Sequence, residues 1–112
     1  MIETIEQARI CVAAGSAWLD ANYGADWRTE IHWDTLDQGH SHYCVLGQLY
    51  GDWELSPLCG TGEADELGFL VISDVFPVGT EITNMEAWDT ERRRILRAYA
   101  LLTQAWLEIK PV

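Results

Sequence analysis

The sequence predicts a mainly α-helical single domain, 1–112, with two longer terminal helices packed around a short central helix. Three observations carry this expectation. Ile5, Ala8, Val12, Gly15 and Leu19 recur at spacings of three and four. Ile95, Tyr99, Leu102, Trp106 and Ile109 run at intervals of 4, 3, 4 and 3. Between them Val45, Leu46, Leu49, Tyr50 and Trp53 keep one helical face, with Gly-, His- and Asp-rich stretches on both sides. Apolar positions at this period place their side chains on one stripe of a helix, which must be buried against another element.

The first helix is expected over 5–22. Thr4-Ile5-Glu6-Gln7 has the form of a capping box, in which the Thr4 hydroxyl and the Gln7 amide satisfy free backbone N–H groups reciprocally. Tyr23-Gly24 supplies the stop. Ala13-Ala14-Gly15-Ser16-Ala17 is small-sided, so another backbone can approach closely there. Trp27, Ile31 and Trp33 fit neither helical spacing nor alternation. One turn at 26–31 capped by Asp26 is expected, followed by turn chemistry at Asp34-Thr35-Leu36-Asp37-Gln38-Gly39, with Leu36 as its apolar anchor.

In the central helix, Ser41 is the expected cap and Gly51 the C-terminal signal. Gly47 inside a helix costs about 1 kcal/mol relative to Ala, which makes sense if a terminal helix crosses over it. Gln48 is expected to face away or to donate to a loop carbonyl. Glu63–Leu67 reads as one or two turns, with Gly68-Phe69 as a Schellman ending. Leu70-Val71-Ile72 and Val75–Val78 have β character broken by Pro77 and Gly79, so a small β hairpin near 70–83 is compatible with the sequence. The last helix is expected over about 85–109, capped by Asn84 or Thr90 and ended by Pro111.

Composition limits the classes of function. The formal net charge is −11, divided unevenly: residues 1–91 balance to −15 and residues 92–112 to +4. Such a surface argues against direct binding of nucleic-acid phosphates and favours basic surfaces on other molecules. Six Trp serve either a small core or an exposed aromatic patch. Three Cys at uneven spacing do not form a disulfide framework. The N-terminal residues lack the basic and apolar regions of a signal peptide, and no apolar run reaches membrane-spanning length. A reduced, cytoplasmic protein is expected.

His40, His42, Cys44 and Cys59 make the metal-like cluster. In an extended strand the first three would point the same way, and a loop would bring Cys59 in, a donor set that suits zinc. The spacing matches no common finger or ribbon, and solvated histidines with small buried thiols explain the same residues. Zinc is therefore an alternative cofactor to none. A nucleophilic Cys44 would need a helix N-terminus to lower its pKa and His32, His40 or His42 as base. Asp34 and Asp37 have the residue types for acid–base work, although turn formation accounts for both. Gly60-Thr61-Gly62-Glu63 lacks the Gly-Lys-Ser/Thr of a phosphate loop.

A set of segments is distinctive in its order: Ala14-Gly15-Ser16-Ala17-Trp18-Leu19-Asp20, Trp27…Ile31…Asp34-Thr35-Leu36-Asp37, Cys44-Val45-Leu46-Gly47-Gln48-Leu49-Tyr50-Gly51, Glu66-Leu67-Gly68-Phe69 and Leu101-Leu102-Thr103-Gln104-Ala105-Trp106. Together they resemble small uncharacterised acidic proteins encoded by phages and prophages of actinobacteria. The resemblance covers most of residues 14–106, with the Cys-Val-Leu-Gly-Gln block its most specific part, and the segment 70–90 departs from the pattern. It implies a phage accessory protein made in the host bacterial cytoplasm. The family has no established activity, so no functional residue is carried over.

The leading expectation is a non-enzymatic binder of a host or phage protein, with an acidic or Trp-bearing patch left exposed. The alternatives are a zinc-stabilised module and an acidic DNA mimic occupying a nucleic-acid-binding groove. Homodimerisation through the small-residue face of the first helix or through exposed Trp is compatible with each.

Overall fold

A computed structural model describes residues 2–70 and 85–111. It is mainly helical: α1 (Ile5–Asn22), the short α2 (Val45–Tyr50) and α3 (Met85–Glu108), with single 3-10 turns at Trp27–Glu30, Trp33–Thr35 and Trp53–Leu55. No strand occurs among the described residues. Apart from Leu70, the hairpin expected near 70–83 falls outside them.

The capping box forms as the sequence predicts. The Gln7 N–H donates to Thr4 Oγ1 at 3.3 Å, and the Thr4 N–H donates to Gln7 Oε1 at 3.1 Å. Ala8, Val12, Gly15 and Leu19 are buried, and Ile5 is half-buried. The helix stops where Tyr23 and Gly24 both donate to the Leu19 carbonyl. A Cβ on Gly15 would fall on the Leu67 carbonyl oxygen, so the close approach expected of the small-residue run is made by the 63–68 turn. That turn ends as a Schellman motif: Phe69 N–H donates to Ala64 O at 2.9 Å and Gly68 N–H to Asp65 O at 3.2 Å.

α3 packs its stripe of Ile95, Ala98, Tyr99, Leu102, Ala105 and Trp106 against α1 and the rest of one core. Thr90 lies inside α3 and so does not cap it. Of Arg92, Arg93, Arg94 and Arg97, Arg94 pairs with Glu91 and also with Glu3 across the helix pair, each at 3.4 Å.

Trp27 and Trp106 are fully buried and cross edge to face at 5.9 Å. Phe69 stacks on Trp106 at 5.2 Å, and Trp18 meets Phe69 edge-on. Trp18, Trp33 and Trp53 are half-buried against this core. The five tryptophans whose side chains are described thus build the interior, because a short chain gains most apolar area per residue from indole.

Three local expectations are corrected. Cys44, not Ser41, caps α2: its Sγ accepts the Gly47 N–H at 3.2 Å. Gly47 is crossed by its own preceding loop, since a Cβ there would fall on the Ser41 carbonyl oxygen. Asp26 stands before the first 3-10 turn but makes no side-chain cap; its backbone carbonyl accepts from Thr29 instead. Gln48 does bond loop backbone, accepting from His32 N–H and donating to the Tyr43 carbonyl at 2.9 Å.

Candidate protein-docking surface

The structure separates the four residues of the expected zinc set. Residues 37–44 wind through consecutive turns, with His40 N–H on Asp37 O at 3.1 Å and Cys44 N–H on His40 O at 2.9 Å. An extended strand would have aligned His40, His42 and Cys44; the turns send both imidazoles outward and the thiol inward. His40 lies on Tyr43 at 4.5 Å, and the two imidazoles are 5.7 Å apart. His42 places Nδ1 3.2 Å from the Gly51 carbonyl and Nε2 3.4 Å from Asp52. Cys59 is exposed on a separate loop. Among the described residues no three His, Cys, Asp or Glu side chains converge as a metal-holding group, so His40, His42, Cys44 and Cys59 are not assembled.

Cys44 also departs from the nucleophile reading. Burial pushes its thiol up, against the lowering influence of the Gly47 N–H. A six-residue helix offers little dipole to reverse that desolvation. Asp37 Oδ1 accepts the Gly39 N–H at 2.9 Å, which makes it a turn residue, and Asp34 is exposed within the second 3-10 turn. Gly60 and Gly62 both take left-handed φ near 80°, which shapes the loop by backbone geometry.

Two neighbouring cavities share Trp53 and Leu70. One, of about 240 Å³, reaches His40 and Cys44; the other, of about 360 Å³, is walled by Leu58, Cys59 and Ala64 with Asp65 at its side. Among the described residues no hydrogen bond joins His40 to Cys44, whose thiol donates to the Ser41 carbonyl instead, no two carboxylates meet in either cavity, and the second offers mainly apolar contact.

The outer surfaces of the terminal helices differ in kind. Ile10–Leu19 in α1 carries no charged residue. Its inner side meets the core, while Ile10, Ala13, Ala14, Ala17 and Ala21 lie exposed on the other. Ile10 is 72% exposed. A helix apolar on two sides, with one side covered, has an unused contact face. Glu6 flanks Ile10 one turn earlier, giving that face an acidic edge.

On α3, Leu96 is 57% exposed amid Arg92, Arg93 and Arg97. Among the described residues those three arginines make no salt bridge, although the rest of the chain is rich in carboxylates. The sequence shows the positive balance over 92–112 but does not single out Leu96. The signal was its position off the buried stripe, one residue after Ile95.

No family model, curated protein or solved structure matches this chain. Among the described residues no helix is long and apolar enough to cross a membrane.

Proposed function

We propose that this chain is a phage accessory protein that acts in the host bacterial cytoplasm by binding a host or phage protein, without chemistry of its own. The observation that carries the reading is Ile10, a large apolar side chain 72% exposed on the outer side of α1, at the start of the uncharged run Ile10–Leu19. Removing such a side chain from water is favourable, and the acidic edge at Glu6 favours a partner whose own apolar contact is rimmed by basic groups. The resemblance to actinobacterial phage proteins supports the setting. The chain's charge of −11 supports a basic partner surface over direct contact with nucleic acid.

A photo-crosslinking residue at position 10, in the full chain, tests this in host lysate. The expected result is one discrete crosslinked protein, lost on Ile10→Glu in a capture experiment and retained on Leu55→Glu, which alters an equally exposed leucine elsewhere. Equal capture by both variants, or no discrete product, overturns the reading.

A further inference from the structure

We infer that the chain associates head to tail with a second copy, the Ile10–Glu6 edge of α1 in one molecule seating on the Leu96–Arg93–Arg97 face of α3 in the next. This goes beyond the docking reading of α1 and rests on it, because it gives the same exposed face a second copy of the chain to bind in concentrated solution. The α1 edge calls for an apolar contact ringed by basic groups. α3 presents that combination, with Leu96 57% exposed and Arg92, Arg93 and Arg97 free of salt bridges among the described residues.

The arginines need an explanation of their own. Of Arg92, Arg93, Arg94 and Arg97, in a chain with 18 acids, only Arg94 is paired among the described residues. Carboxylates brought by another molecule would relieve that mismatch. An exposed leucine beside Arg92 and Arg93 favours protein over phosphate backbone, and the net charge of −11 opposes nucleic acid at longer range.

The two faces are different patches, so the contact is heterologous and each molecule keeps one free face of each kind. Net repulsion between like-charged copies keeps the association weak and confines it to concentrated solution.

Sedimentation equilibrium of the full chain, from about 10 μM to about 1 mM at roughly physiological salt, reads the association. The average mass is expected to rise above the monomer with concentration. Ile10→Glu and Leu96→Glu each raise the dissociation constant roughly tenfold or more, as loss of a central apolar contact does. Both positions are exposed, so circular dichroism and melting temperature stay unchanged.

An equimolar mixture of the two variants is decisive. Each retains the face the other has lost, so the mixture forms a 1:1 dimer and nothing larger. A monomeric wild-type chain, continued association of Leu96→Glu, or a mixture that stays monomeric overturns the inference. The double variant Arg93→Glu, Arg97→Glu separates the two proposals. It is expected to lose self-association while its position-10 crosslink to the host protein persists.

Discussion

The carbonyl of Gly68 receives two buried hydrogen bonds, from Trp106 Nε1 at 2.9 Å and from Gln38 Nε2 at 3.2 Å. Gln38 is 3% exposed, and its Oε1 also accepts the Val45 N–H at 2.8 Å, while its own N–H donates to Thr103 Oγ1. One glutamine therefore ties the start of α2, the end of the 63–68 turn and the C-terminal part of α3 together. Gln38→Ala leaves the Val45 N–H buried without its acceptor. Because each such orphaned group costs about 1–3 kcal/mol, the variant is expected to lose about 2–4 kcal/mol in urea unfolding. Trp106→Phe, which keeps much of the ring but not the N–H, is expected to lose less.

Gly15 and Gly47 should reverse the usual sign of a helix substitution. Alanine in a helix interior ordinarily stabilises by about 1 kcal/mol over glycine. Here a methyl group would fall on the Leu67 carbonyl oxygen at position 15 and on the Ser41 carbonyl oxygen at position 47. Both are backbone atoms that cannot swing aside. Thermal melts are expected to show Gly15→Ala and Gly47→Ala destabilised by about 1–3 kcal/mol.

Arg9 and Glu108 join α1 to α3 through paired bonds of 2.9 and 2.8 Å. The Arg9 guanidinium hydrogen-bonds Glu108 and lowers its carboxyl below the ordinary 4.5. A depressed carboxyl contributes stability above its unfolded value and loses it as pH falls through the folded one. A double-mutant cycle with Arg9→Ala and Glu108→Ala should therefore give measurable coupling at pH 7 that fades below about pH 4.5 and vanishes once the carboxyl is protonated. Persistent coupling at pH 2 would contradict this assignment. Both side chains are exposed, so salt should also weaken the coupling.

The three thiols should react in order of access. Cys59 is exposed, Cys11 is half-buried, and Cys44 is buried with its thiol pushed up by desolvation. Cys11 is raised as well, first by burial and then by Asp65 and Glu66. Timed alkylation of the native protein, read by peptide mass, is expected to label Cys59 first and Cys44 only on unfolding. Early labelling of Cys44 would remove its role as the α2 cap.

Features that depend on neighbours along the chain can be read before any folding is known. The Thr4–Gln7 capping box, the stops at Tyr23-Gly24 and Gly68-Phe69, and the buried stripes of α1 and α3 were legible because their bonds and periodicity span only a few residues. Features that depend on distant backbone emerge on packing. Gln38 looks like a turn residue until α3 and Gly68 surround it. His40, His42 and Cys44 look aligned until the 37–44 turns point them apart. Ile10 and Leu96 look like further apolar residues of amphipathic helices until packing covers one side of each helix and leaves these two outside. Local hydrogen bonding sets which elements form. Burial, which no single segment can supply, sets which side chains remain available to a partner.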